Sequence, residues 1–192
     1  ALLTYSLTVE PTASYWDAGE YISTSAKLHI GHPPGAPLYQ MLGAVFSLFA
    51  TSPEKIALAV NFLSVVSSAF VILFLFWSIT LLLRKIYDIN DKKSSTNIFL
   101  SAIIGSLAYT FSDSFWYNAV ESEVYALAMF FLAATFWLGL RWEKDFDTER
   151  GDKWLVLISF MIGLSFGVHF MAILTIPAIG MIYFFKKYKK IT

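Results

Sequence analysis

The sequence predicts an all-α integral membrane protein, a multi-helix bundle with interfacial helices in its first external loop. Three observations carry that reading. Of 192 residues, 57% are hydrophobic and only 15% charged, with mean hydropathy +0.60; an ordinary soluble domain is roughly 25% charged. Long stretches without a single charge run from Ile56 to Leu83, Ser94 to Ser112, Val124 to Leu140 and Trp154 to Phe185, and a helix crossing the hydrocarbon takes about 20 apolar residues. The charges between these stretches also segregate. Residues 8–55 and 113–123 carry Glu10, Asp17, Glu20, Glu54, Asp113, Glu121 and Glu123 against only Lys27 and Lys55, whereas the other connections and the tail hold twelve Lys/Arg against seven acids. By the positive-inside rule the lysine-rich face is cytoplasmic and the acidic face external.

Taken in chain order, residues 1–7 (ALLTYSL) are apolar but too short to cross and have no charged flank, so they read as the end of a first membrane helix, with no signal peptide. Residues 8–55 form the first external loop. Within it Ala36–Ala50 is apolar but only 15 residues long and is opened by Pro37, which fits an interfacial helix better than a span. Ser52-Pro53-Glu54 offers an N-cap, a proline at the first helical position and an acid in the first turn, ahead of a span over 56–83. Further spans are expected over 97–112 and 122–140, and Asp152 after Gly151 offers another cap. The 32 uncharged residues from Trp154 to Phe185 would make one helix of about 48 Å. A single crossing would also strand Lys186, Lys187, Lys189 and Lys190 outside. Two short helices, 154–168 and 170–185, broken near Gly163–His169, return the lysines to the cytoplasm and put His169 at an external bend. Without a repeat or a linker, residues 1–192 read as one membrane domain cut at both ends.

Composition removes several functions. Fourteen Lys/Arg against fourteen Asp/Glu leave no basic field for nucleic acid. The absence of cysteine rules out disulfides, thiolate metal sites and Cys nucleophiles. No GxxxxGK[ST], HExxH or GxSxG occurs. The chemistry therefore falls to carboxylates, histidines and hydroxyls.

Polar and rigid residues concentrate in the first external loop. Asp17 and Glu20 stand three apart and share one face of a helix; the same Asp-x-x-Glu spacing is a capping box, and both roles are open to it. His32-Pro33-Pro34-Gly35-Ala36-Pro37 removes three backbone donors and biases the chain to extended geometry. It reads either as a connector between interfacial helices or as a presenter of Lys27, His29 and His32 to a lipid phosphate, which needs such cationic partners. In the second external loop Trp116 and Tyr117 fit an interfacial belt, and Glu121 and Glu123 complement the dipole of the following helix. Aromatics beside carboxylates also suit a sugar, ring against apolar sugar face and acid against hydroxyls. His169 is an ionisable group at membrane depth, a functional candidate by its cost. Asn61, Ser64, Ser67 and Ser68 read as interhelical packing positions.

The string Pro11-Thr12 … Trp16-Asp17-Ala18-Gly19-Glu20, followed by Gly31-His32-Pro33-Pro34-Gly35-Ala36-Pro37-Leu38, closely resembles the bacterial membrane family catalogued as domain of unknown function 2723. The animal relatives of that family are protein O-mannosyltransferases of the transmembrane protein 260 type. Val60-Asn61, the run Ala108–Trp116 (AYTFSDSFW), Ala119–Tyr125 (AVESEVY) and Gly163–His169 (GLSFGVH) extend the likeness over nearly the whole chain. The resemblance implies a GT-C-like bundle and an inverting glycosyltransferase, a hexosyltransferase taking its sugar from a polyprenyl-phosphate donor. The implied acceptor is a Ser/Thr hydroxyl of an exported protein. By position it makes Asp17 the base with Glu20 beside it. On the residues themselves, Glu20, Glu121 or Glu123 are expected to orient acceptor or sugar, Lys27, His32 and His169 to bind the donor phosphate, and Trp116 and Tyr117 to line the sugar pocket. No metal ligand set is assigned, a divalent metal being compatible with the sequence but not indicated by it, and the lipid-linked sugar is a substrate rather than a resident cofactor. The implied location is the inner membrane, multi-pass, with the site facing the periplasm or exterior. Two other classes use the same residues differently: a transporter or flippase of polyprenyl-linked substrates, and a non-catalytic assembly subunit.

Overall fold

The computed structural model describes residues 1–188; Lys189 and Lys190 of the basic tail lie outside the described residues. These form nine α-helices and two short 3-10 turns, with no strand among the described residues: α1 Leu2–Thr8, α2 Ala18–Lys27, α3 Pro37–Ser47, α4 Ile56–Leu83, α5 Lys92–Thr110, α6 Asp113–Ala119, α7 Val124–Lys144, α8 Gly151–Ser165 and α9 Ile176–Tyr188. The chain is an all-helical membrane protein. Three helical stretches are long and apolar enough to cross a bilayer, Pro53–Leu83, Val124–Lys144 and Phe170–Tyr188, and the pair α5 plus α6, bent by 70°, makes a fourth if taken as one span. α8 has 15 residues, about 22 Å, short of the roughly 30 Å hydrocarbon.

α4 is the axis. It is 28 mostly apolar residues without an internal Gly or Pro, and its small polar residues Ser64, Ser67 and Ser68 are buried where α7, α5 and α3 close on it. Small side chains let helix backbones approach, the main source of packing energy where lipid is as apolar as the protein. One apolar cluster joins Tyr39 of α3, Leu63 of α4, Val124, Leu127 and Phe131 of α7, and Val168 and Ala172 of the bend beyond α8. A second joins Tyr5 of α1, Val65 and Val71 of α4 and Phe115 of α6, with the Tyr5 hydroxyl donating to the Thr110 carbonyl at 2.9 Å. Outward-facing Ile104, Val156, Phe160, Leu174 and Met181 remain exposed, as lipid-facing side chains do.

Helix ends differ from the sequence reading in instructive ways. α5 begins at Lys92, ahead of the uncharged stretch, because Asp91 caps it, its carboxylate accepting from the backbone N–H groups of Lys93 and Ser94. Asp152 lies inside the first turn of α8, which opens after Arg150. Ser52 precedes the 3-10 turn Pro53–Lys55 without a side-chain capping bond. The loop expected to be the second external one is itself largely the helix α6, and α7 continues past Leu140 to Lys144. At the lysine-rich end Lys85 pairs with Glu143, tying α4 to α7.

Candidate functional site

The site begins with a left-handed turn. Trp16 has φ +58°, costly for a residue with a side chain, and it delivers Asp17 to the N-cap position of α2. The capping box does not form: Asp17 makes no side-chain capping bond. Glu20, three residues on, turns instead to the next loop. Its Oε1 accepts the backbone N–H of His32 at 2.6 Å and its Oε2 stands 3.0 Å from His32 Nδ1. His32 Nε2 then lies 4.0 Å from Asp17 Oδ2. The three side chains are 55%, 37% and 45% exposed in the order Asp17, Glu20, His32, so they are open to a ligand. The two hydrogen bonds from His32 hold the Glu20 carboxyl below its usual range, and the same carboxylate raises the His32 imidazole.

The second acidic loop is bolted beneath. Asn61, near the start of α4, donates through Nδ2 to the carbonyls of Glu10 and Thr12 at 2.6 and 2.9 Å, and its Oδ1 accepts the Ser122 hydroxyl at 2.5 Å. The Glu10 N–H donates to the Val120 carbonyl at 2.9 Å, and the Ser14 hydroxyl to Glu121 at 2.5 Å. Glu121 and Glu123 are nearly buried, at 3% and 6% exposed. Desolvation raises both carboxyls. Hydroxyl donors, Ser14 first and then Tyr117, hold Glu121 down in part. Glu123 is pushed up to about 7, because burial dominates and the Asp17 carboxylate faces it. The two loops therefore present Asp17 and Glu123 to each other.

The third contributor is the bend after α8. The Gly167 carbonyl accepts the N–H groups of Leu38 and Tyr39 at 2.8 and 3.4 Å, satisfying donors at the uncapped start of α3. His169, in extended backbone, sets its ring 5.8 Å from Tyr125 in the first turn of α7, one residue beyond Val124 and so beside the Glu123 end of that helix. Its Nδ1 is buried without a partner among the described residues.

The structure thus brings Asp17, Glu20, His32, Glu121, Glu123 and His169 to one end of the bundle. It does not bring Lys27, which sits in the last turn of α2, about 15 Å along the axis from Asp17. Trp116 is also elsewhere: its indole N–H donates to Thr8 Oγ1 at 2.9 Å and its ring packs edge-on against Tyr5 and Phe111, so it serves the packing of α1 on α6. Tyr117 is half exposed, and its hydroxyl goes to Glu121. Asp17, Glu20 and His32 offer ligand atoms all within 4.8 Å of one another; both Glu20 oxygens are engaged with His32, while the Asp17 carboxylate stays open.

Residues 17–192 match the family described as Protein O-mannosyl-transferase TMEM260 N-terminal domain. The chain belongs to that family. It is 25% identical over 185 residues to the Dictyostelium discoideum protein O-mannosyl-transferase tmem260, covering 90% of this chain and 21% of that protein. To the Mus musculus protein O-mannosyl-transferase TMEM260 it is 25% identical over 162 residues, covering 84% of this chain and again 21% of the relative. The chain therefore spans about a fifth of the length of these curated relatives. No solved structure matches it.

Sequence reasoning passed over Asn61, Ser14, Ser122 and Gly167 as site-builders. Asn61 carries a readable signal, an amide in an otherwise apolar helix. The other three are small residues whose partners lie roughly a hundred positions away in sequence, except Ser122 to Asn61 at 61, and no local pattern exposes such contacts.

Proposed function

We propose that this chain is the N-terminal membrane part of a GT-C type, inverting glycosyltransferase that moves a sugar from a polyprenyl-phosphate donor to a Ser/Thr hydroxyl of an exported protein, on the external face. The named relatives are O-mannosyltransferases, and a hexose of that kind is the sugar we assign. The observation that carries the reading is Asp17: a carboxylate released from helix capping, open to solvent, and held at the junction of both acidic loops. Inverting transfer needs one carboxylate to take the proton of the attacking hydroxyl. The departing polyprenyl phosphate is a stable anion and requires no acid. Glu123, pushed up to about 7, can donate to or accept from a sugar hydroxyl, and His169 faces the phosphate.

In the full-length enzyme, Asp17→Asn should lower transfer from a polyprenyl-phosphate-linked mannose to a Ser/Thr peptide by about 10²–10⁴-fold while the detergent-solubilised protein keeps its melting temperature. A folded variant with wild-type turnover removes Asp17 as the base.

A further inference from the structure

His32 is held at two points by one carboxylate. Both oxygens of Glu20 are committed to it, one to its backbone N–H at 2.6 Å and one to Nδ1 at 3.0 Å. Gly31 makes this possible, since a Cβ there would stand 3.1 Å from Glu20 Oε1. A carboxylate bonds to Nδ1 only when that nitrogen carries a proton, so the neutral ring is the Nδ1–H tautomer with its lone pair on Nε2. Nε2 points toward Asp17 Oδ2 across 4.0 Å, beyond hydrogen-bond range yet closable by a rotamer adjustment. Carboxylate–imidazole pairs of this kind orient proton acceptors in many active sites. The groups facing the ring are Glu20 and Asp17 themselves, Tyr21 of α2, with ring centroids 6.1 Å apart, and Glu123 at the start of α7.

We propose that His32 is a positioning residue that serves Asp17: Glu20 fixes its tautomer, and its Nε2 receives the proton that Asp17 removes from the acceptor. This rests on the transferase reading above. In the step, the acceptor O–H bond breaks and its proton passes to Asp17 Oδ2. The acceptor oxygen bonds to the anomeric carbon, and the bond from that carbon to the phosphate oxygen breaks with its electron pair leaving on the polyprenyl phosphate. The Asp17 proton then moves to Nε2 as the gap closes, a downhill transfer from a carboxylic acid to an imidazole. Asp17 is again a carboxylate, and the exposed imidazolium returns the proton to water. Since His32 must enter the cycle neutral, turnover rises with pH through its titration.

The test is the pH profile of kcat in the full-length enzyme, with a polyprenyl-phosphate-linked mannose and a Ser/Thr peptide. Glu20→Gln keeps an oxygen for the His32 N–H but loses the charge that favours imidazolium, so the rising limb should move to lower pH. His32→Gln should lower kcat by about 10²-fold and abolish the limb while the donor KM changes little. Glu123 also faces the ring, more weakly than Glu20, so Glu123→Gln should move the limb in the same direction by less than Glu20→Gln does. A limb that stays put in Glu20→Gln, or survives in His32→Gln, overturns the proposal; so does an equal loss of rate at every pH, the mark of a structural role. If Asp17→Asn remains active, the transferase assignment of Asp17 fails instead, which separates the two. Independently of activity, 15N-histidine NMR of the full-length protein, with the His32 resonance identified by its loss in His32→Gln, should find the Nδ1–H tautomer. An Nε2–H tautomer there refutes the inference without any variant having to turn over.

Discussion

At Glu123 burial works against charge. Its carboxyl is 6% exposed and faces Asp17, and it titrates near 7 in the folded state rather than near its model-peptide value of about 4.3. The folded protein therefore binds this proton more tightly than the unfolded chain does, so stability falls as pH rises between those two values and the penalty is complete above about 7. Glu123→Gln removes the charge at nearly constant volume. It should melt higher than wild type at pH 8, by an amount corresponding to at most roughly 3 kcal/mol, and the gap should shrink toward pH 4.5. Melting curves in detergent at both pH values check this; a gap that widens on acidification would contradict it.

At the scale of elements, helix faces pack the bundle on α4 and chain reversals set where its loops meet. The start of α3 has no side-chain cap, and the Gly167 carbonyl takes its place. A Cβ on Gly167 would meet Leu38 Cβ at 2.8 Å, so Gly167→Ala must push α3 away and should cost about 1–3 kcal/mol. Gly163, inside α8, has open space around its missing Cβ, and Gly163→Ala should be neutral or stabilising by up to about 1 kcal/mol. Paired thermal melts test the contrast, and equal effects would mean that the 167–38 contact contributes nothing. Several element positions are legible in sequence because periodicity, proline and charge act locally: the opening of α3 at Pro37 and the break of the last apolar stretch before His169 belong here. The start of α5 is not, since Asp91 extends the helix back through two lysines that hydropathy assigns to a loop. The diversion of Glu20 from a capping box to His32 is likewise invisible locally, because Asp-x-x-Glu reads the same whichever partner Glu20 takes.

For the whole molecule, the acidic cluster sits at one end of the bundle and the Lys85–Glu143 pair at the other, which makes the orientation testable. The chain has no cysteine. In a full-length protein freed of any others, a single Ile30→Cys, at a position 95% exposed beside His32, should react with a membrane-impermeant maleimide in intact cells. Asp147→Cys, between α7 and α8, should react only after permeabilisation. The reverse pattern would put the cluster on the cytoplasmic face and end the external-transfer proposal.

Composition, apolar stretch length and charge segregation are sums over residues, so they are complete in the sequence; they decide that this is a helical membrane protein with an acidic face, and Asp17 and Glu20 stand out within it. Which acids are free and which are committed depends on contacts between segments far apart in the chain. Folding sets Glu20 on His32, Glu121 on Ser14, Trp116 on Thr8, and leaves Lys27 at the far end of α2. Asn61 and Gly167 likewise bring backbone carbonyls and N–H groups of distant segments together, a requirement of buried polar groups that only the folded chain can meet.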